Sequence, residues 1–337
     1  MQSASHPKSS SAHFLLAIAA LAITANVGQL RAADAASQRK PVILDSDIGD
    51  DIDDTWALGL LLKSPELDLK LVVGDYGKSA YRAKIFAKFL QAAGRTDVGV
   101  GLGVRQNADA VGPQADWVKD YDLKSYPGKV HEDGVQALID TILASPQRIT
   151  LIAIGPLPNI AEALKREPRI AEKADFVGMH GSVRKGYDGS STISPEWNVK
   201  ADAKSCAAVF KAPWNMTITP LDTCGVIVLD GQRYATVRDS KDPIASAIIA
   251  NYRIWSTDKD KKNDAAEHRS SVLFDTVAVY LAVSHDLCKM EKLGIRVTDD
   301  GFTRIDPAAK QIEVATEWKD LDAYRDLLVK RLTGAAN

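Results

Sequence analysis

The chain contains little cysteine, few aromatic residues and almost no net charge. Three cysteines occur in 337 residues, and their odd number and wide spacing indicate no disulfide framework and match no thiolate metal motif. The formal net charge of −2 provides no basic field, so we expect no nucleic-acid partner. With 45% hydrophobic and 26% charged residues, the composition is that of an ordinary globular protein.

Long hydrophobic runs are also scarce. The run FLLAIAALAITANV, residues 14–27, falls short of the roughly 20 apolar residues that a membrane-spanning helix needs. The small residues that follow it predict a secretory signal peptide cleaved after Ala32 or Ala35. We therefore expect residues 1–35 to be removed and residues 36–337 to form one domain. The mature protein would be secreted or periplasmic, without stable membrane association; a retained membrane anchor is the alternative.

Short β-rich runs alternate with amphipathic segments along the remaining chain. This alternation predicts an α/β fold with a mostly parallel sheet, helices on both faces and additional C-terminal helices. Short β-rich pieces at 295–297 and 312–315 predict a late hairpin. The clearest predicted strands are VIL (42–44), LKLVV (69–73), ITLIAI (149–154), ADFVGM (174–179) and NMTIT (215–219).

The first predicted strand runs into a crowded acidic segment, VILDSDIGDDIDDTWAL, which begins at Val42 and holds six aspartates between Asp45 and Asp54. Neighbouring carboxylates repel one another, so such crowding raises their pKa values. Helix capping accounts for one or two of them. A hard divalent cation accounts for more, because Ca²⁺ takes 6–8 oxygen ligands. An EF-hand is excluded, because Trp56 stands where its bidentate glutamate is required.

Four segments in order resemble the nucleoside hydrolase family, in its variant with a longer acidic loop. Together they cover about residues 41–285, and four motifs in the right order are far more specific than any one of them. The segments are ILDSDIGDDIDDTWAL (43–58), AIGPLPNIAEAL (153–164), PEWNVKADAKSCAAVF (195–210) and SSVLFDTVAVYL (270–281).

The resemblance implies a Rossmann-like catalytic domain that binds Ca²⁺ and hydrolyses the N-glycosidic bond of ribonucleosides to ribose and free base. By position, Asp47 matches the metal-bound general base. Asp54, Asp275 and the backbone carbonyl of Pro158 match the other metal ligands. The positions that match substrate contacts are Asp53, Lys78, Met179, Glu196 and Asn198.

The chain departs from the family pattern at several positions. Phe274 stands where the family often has a histidine that can protonate the leaving base, so His180 and His268 become candidate acids. Lys78 stands where an asparagine is usual. Because the acidic loop is two residues longer than its commonest form, Asp50 or Asp51 is an alternative ligand to Asp54.

Two other functions remain open at this stage. A Mg²⁺-dependent phosphatase of the haloacid-dehalogenase type would use Asp45 and Asp47 but would leave Asp53 and Asp54 without a role. The changes at Lys78 and Phe274 also allow an inactive, Ca²⁺-dependent nucleoside- or sugar-binding protein. The expected partner is a small ribonucleoside, and association into homo-oligomers is compatible with the sequence.

Overall fold

The computed structural model describes residues 1–2, 39–104, 107, 109–257 and 265–334. Lys40–Asn337 form one compact unit, distinct from Met1–Arg39. The apolar run of the predicted signal peptide lies outside the described residues, so the signal peptide stays a prediction. Of the helices that the structure describes, none combines the length and the apolar character needed to cross a membrane.

Ten strands in the described ranges form a single sheet with the spatial order 4-3-2-1-5-6-7-10-8-9, numbered along the chain. The first seven strands pair in parallel, and the tenth pairs in parallel with the seventh. The strands are β1 Lys40–Ser46, β2 Leu67–Gly74, β3 Gly99–Leu102, β4 Val130–His131, β5 Ile149–Ala153, β6 Ala174–Met179, β7 Met216–Thr219, β8 Cys288–Val297, β9 Thr303–Ile305 and β10 Gln311–Trp318.

Helices cover both faces of this sheet, as the alternating sequence pattern predicts. Within the described part of the chain they are α1 Asp53–Leu62, α2 Ser79–Ala92, α3 Ala115–Val118, α4 Gly134–Ala144, α5 Pro158–Arg166, α6 Ile170–Lys173, α7 Trp197–Ala201, α8 Ala203–Lys211, α9 Leu221–Cys224, α10 Gly231–Arg238, α11 Pro243–Thr257, α12 Ala265–His268, α13 Thr276–Val283 and α14 Leu321–Thr333.

The sheet separates two hydrophobic cores, because successive side chains of a strand point to opposite faces. In β1, Val42 and Leu44 belong to one core and Ile43 belongs to the other. The strands next to β1 are buried on both faces in the same way, which explains their nearly continuous apolar sequences. The predicted mostly parallel α/β fold is confirmed.

Two local features differ from the sequence pattern. The C-terminal helix in the segment SSVLFDTVAVYL begins only at Thr276, and Asp275 is the residue that precedes its first turn. The expected late hairpin is a larger structure, because β8 pairs antiparallel with both β9 and β10. Since Ile312 and Val314 of β10 are buried in a core, this strand joins the main sheet beside β7.

Candidate active site

The acidic loop lies at the carboxyl end of β1, the edge where open parallel sheets bind their ligands. Asp47 is the first residue after β1, and Gly155 is the second residue after the neighbouring strand β5. A Cβ atom at position 155 would lie 2.9 Å from Oδ1 of Asp47 and 2.8 Å from its backbone nitrogen. Glycine therefore lets the two strand ends approach closely enough to share one site.

Three buried carboxylates gather at the start of α1 and α13. One oxygen each from Asp53, Asp54 and Asp275 lies within 4.8 Å of the others. The backbone N–H of Asp275 donates to Oδ2 of Asp53 over 3.2 Å, and the hydroxyl of Ser46 donates to Oδ1 of Asp54 over 2.5 Å. Residues far apart in sequence thus form one fixed acidic cluster, here called the carboxylate triad.

The carboxylates of the triad lie close together, and no positively charged side chain of the described residues pairs with them. Burial, followed by repulsion from neighbouring carboxylates, raises the pKa of Asp53, Asp54 and Asp275 well above the usual range. Burial also raises the pKa of Asp47 to about 6, although the Arg82 guanidinium opposes this rise. No lysine, arginine or histidine of the described residues forms an ion pair with the triad. A buried set of like charges of this kind requires protons or a cation.

Arg82 holds the backbone of the acidic loop through hydrogen bonds. Its side chain is fully buried and donates to the backbone carbonyls of Asp47 and Ile48, the latter over 2.8 Å. The same guanidinium donates to the Asp50 carboxylate over 2.9 Å, and Lys78 forms a second ion pair with Asp50. The sequence does not indicate this role of Arg82, because an arginine within an amphipathic helix gives no indication of burial.

The wall opposite the acidic loop carries an amide and a carboxylate. Glu196 caps α7, and its oxygens accept from the backbone N–H groups of Gly181 over 2.9 Å and Asn198 over 2.7 Å. Burial raises the pKa of Glu196 to about 7, while these N–H groups oppose the rise. The Asn198 amide donates to the Met179 carbonyl over 3.1 Å and to the Ile154 carbonyl over 3.4 Å.

One cavity connects the acidic loop with this wall. Its third side is aromatic and is formed by Tyr187, Trp197 and Phe274. The Tyr187 and Phe274 rings meet edge to face, with centroids 6.2 Å apart. The complete lining is Asp47, Asp50, Asp51, Asp53, Asp54, Ile154, Met179, Tyr187, Glu196, Trp197, Asn198, Phe274 and Asp275.

The sequence model of the inosine-uridine preferring nucleoside hydrolase family matches residues 42–326 of this chain. The chain belongs to the nucleoside hydrolase family. It is 26% identical over 305 residues to a probable uridine nucleosidase of Arabidopsis thaliana, covering 85% of this chain and 92% of the relative. It is 30% identical over 229 residues to a non-specific ribonucleoside hydrolase of Klebsiella pneumoniae, covering 65% and 74% of the two chains.

Solved nucleoside hydrolases have the same fold. A plant nucleoside hydrolase superposes with a TM-score of 0.74 at 22% identity, covering 88% of this chain and 99% of that one. A purine-preferring ribonucleoside hydrolase from Gardnerella vaginalis superposes with a TM-score of 0.71 at 23% identity, covering 88% and 98%. These similarities concern the fold, which agrees with the single α/β domain found here.

Most of the predicted site residues of this nucleoside hydrolase come together in the cavity. Those that line it are Asp47, Asp53, Asp54, Met179, Glu196, Asn198 and Asp275. Asp50 and Asp51 line it as well, and Asp50 is also held by Lys78 and Arg82. Their individual roles stay predictions, because neither the fold nor the sequence similarity tests single residues.

Four predicted residues lie elsewhere. Lys78 contacts Asp50 rather than the cavity. Pro158 lines a different groove, and the residue that the β5 end contributes to the acidic cavity is Ile154. His268 is exposed at the end of α12 and does not line the cavity.

His180, the other candidate acid, is packed inside the protein. It lies between Phe176 and Phe210, and its Nε2 is 3.0 Å from the Gly155 carbonyl oxygen. Burial lowers its pKa to about 4, although the Gly155 carbonyl opposes the shift. A neutral imidazole that does not line the cavity cannot protonate a base that leaves there.

Sequence reasoning also missed Tyr187 and Ile154. For Tyr187, the sequence offered one indication: an aromatic residue inside the Gly- and Ser-rich loop between β6 and α7. For Ile154 there was no such indication, because an apolar residue at a strand end is expected to belong to the core, whereas this one lines the cavity.

Proposed function

We propose that this nucleoside hydrolase cleaves the N-glycosidic bond of ribonucleosides with bound Ca²⁺ and that it acts outside the cytoplasm. The observation that carries the proposal is the carboxylate triad, buried without a cationic partner among the described residues, beside a polar wall and an aromatic side. Family membership supports the reaction type. The apolar N-terminal run supports the location.

The residues present suit a hard cation. Asp47 and the triad supply carboxylate oxygens, and the Ile154 carbonyl lies in the same cavity wall. Ca²⁺ accepts such mixed oxygen ligands in irregular geometry, whereas Mg²⁺ demands a nearly ideal octahedron. When bound, the ion supplies Lewis acidity that lowers the pKa of a coordinated water and balances the buried negative charge.

The protein side chains would then divide the work. Asp47 would accept the proton of the attacking water, because it lines the cavity beside the triad and a carboxylate can act as a general base. Glu196 and Asp53 would accept hydrogen bonds from ribose hydroxyls, and the Asn198 amide oxygen would accept another. The surrounding carboxylates favour the positive charge that develops on the sugar as the base departs.

The phosphatase alternative is disfavoured by the position of Asp45. A phosphatase of that type needs this carboxylate as an exposed nucleophile. Here it is completely buried, accepts from the Asn159 amide over 2.9 Å and does not line the cavity. Burial raises its pKa to about 7, although the Asn159 hydrogen bond opposes this.

The experiment is release of free base from a panel of uridine, cytidine, inosine and adenosine, with Ca²⁺ and with a chelator. We expect turnover with Ca²⁺ and its loss on chelation. Asp47→Asn should lower kcat by roughly 10³-fold while leaving the fold, followed by circular dichroism, intact. Asp175→Asn, at the opposite end of β6, is the matched control and should keep full activity.

Two results would contradict the proposal. Nucleoside binding without base release, under all metal conditions, would identify a binding protein. Release of phosphate from phosphomonoesters in place of base release would identify the phosphatase.

A further inference from the structure

The cavity has two chemically different sides, which suit the two halves of a nucleoside. The carboxylates and Asn198 form the polar side, which suits a sugar with several hydroxyls. The rings of Tyr187, Trp197 and Phe274 form the apolar side, which suits a flat heterocycle. The nucleobase is therefore expected beside these rings.

Hydrogen-bond donors are scarce in this cavity. Among the described residues that line it, none is a lysine, arginine, histidine, serine or threonine. Ionised carboxylates only accept hydrogen bonds. The Asn198 amide group is directed into the wall, where it donates to the carbonyls of Ile154 and Met179. The remaining side-chain donors are the Tyr187 hydroxyl and the Trp197 indole.

Tyr187 is held with its own proton available. Its hydroxyl oxygen accepts from the Trp197 backbone N–H over 2.8 Å, and its ring packs edge to face with Phe274. A hydroxyl has one proton and two lone pairs, so this contact fixes the oxygen and leaves the O–H free to donate. The side chain is 37% exposed, so solvent can reach it.

From this geometry we propose that Tyr187 is the group that donates a hydrogen bond to the departing nucleobase; this rests on the proposed function. As the C1′–N bond breaks, its electron pair passes to the base nitrogen, and negative charge spreads over the heterocycle. The water oxygen joins C1′ and gives one proton to Asp47. The Tyr187 O–H donates a hydrogen bond that stabilises the charge on the base. Solvent supplies the proton that the free base retains, and Asp47 later releases its proton to solvent.

The environment of Tyr187 favours the donor form. Burial raises the pKa of its hydroxyl, and the negative charge of Glu196 acts in the same direction. The hydroxyl thus stays protonated while charge develops beside it. The Tyr187 oxygen is fixed by a hydrogen bond from the backbone, whereas Trp197 is 55% exposed, so the hydroxyl is the better placed of the two donors.

The test is Tyr187→Phe, which removes the hydroxyl and keeps the ring against Phe274. Uridine and inosine, whose bases are poor leaving groups, are compared with nitrophenyl riboside, which has the same sugar and a leaving group that is stable as an anion. We expect kcat for uridine and inosine to fall by roughly 10²-fold, with little change for nitrophenyl riboside. Tyr121→Phe is the matched control, because its hydroxyl bonds Gln91 outside the cavity.

The possible outcomes separate the roles of this residue. Equal losses on all three substrates would overturn the inference, because they would assign Tyr187 to the sugar or to holding Trp197. Unchanged rates on all three would overturn it as well. A wild-type chain that releases neither base nor nitrophenol would overturn the proposed function, and this inference with it.

Discussion

Two groups of aspartates in the acidic loop are in opposite electrostatic states. At Asp50, burial would raise the pKa, but Arg82 and Lys78 lower it below the usual value. At Asp53 and Asp54, burial and mutual repulsion raise the pKa well above that value. The protein thus supplies its own cations to Asp50 and leaves Asp53 and Asp54 for an external cation.

The same difference separates the aspartate that stabilises the loop from those that form the proposed metal site. Asp50 pairs with Arg82, which also donates hydrogen bonds to the loop backbone. Asp53 and Asp54 belong to the carboxylate triad. Changes at Asp50 and Arg82 should therefore act mainly on folding stability, and changes in the triad mainly on metal binding and turnover.

The largest effect should follow removal of the buried cation. Arg82→Met leaves several loop carbonyls and the Asp50 carboxylate without their donor, so the free energy of unfolding should fall by about 3–5 kcal/mol. Urea unfolding measures this loss. Arg148→Met, which removes a half-exposed ion pair with Asp175, is the control and should cost at most about 1 kcal/mol. Similar losses in the two variants would contradict the supporting role of Arg82.

The next effect concerns the triad. Asp275→Asn removes a ligand and one negative charge, so the Ca²⁺ affinity measured by calorimetry should fall by roughly 10²-fold. Without metal, the same change should stabilise the fold, because it relieves repulsion among buried carboxylates. Asp50→Asn should do neither. A metal-free Asp275→Asn protein that melts below the metal-free wild type would break the comparison.

A smaller effect is expected in the pH dependence of the metal-free protein. Carboxyl groups with raised pKa values bind more protons in the folded state, so their contribution is present at low pH and is lost as pH rises through the folded values. The values of about 6 for Asp47 and about 7 for Glu196 place this loss between about pH 4 and 7. Asp50 acts oppositely, because its lowered pKa adds stability that is lost as pH falls.

Melting curves between pH 4 and 8, with chelator and with saturating Ca²⁺, measure this dependence. We expect the chelated protein to lose melting temperature as pH rises and the Ca²⁺ form to lose much less. Parallel curves for the two forms would show that Ca²⁺ does not neutralise the buried acids.

The smallest effect should come from Lys78. Its ion pair with Asp50 is partly exposed on both sides, so Lys78→Met should change the free energy of unfolding by at most about 1 kcal/mol. Because the ammonium group lies against Asp50, KM for uridine should change little. A clear rise in KM with unchanged stability would support the sugar contact that the family resemblance implies for this position.

The fold was largely predictable, because each strand and each helix has its own pattern of apolar residues, which can be recognised without knowledge of the rest of the chain. The loop aspartates were equally visible, but their division into two states was not. That division depends on Arg82, which enters the loop from α2 through tertiary packing. The position of Ile154 in the cavity lining, where Pro158 was expected, has a similar cause, because the sequence does not show which residue after a strand faces a cavity.

The buried Arg82 also has a consequence for the order of events during maturation. Hydrogen bonds from Arg82 hold the loop backbone through the protein's own groups. Under the proposed function, a cation could then enter after the chain has folded, and could leave and return without the loop being rebuilt. Folding and activation would then be separate steps, and the supply of the cation would set when activity begins.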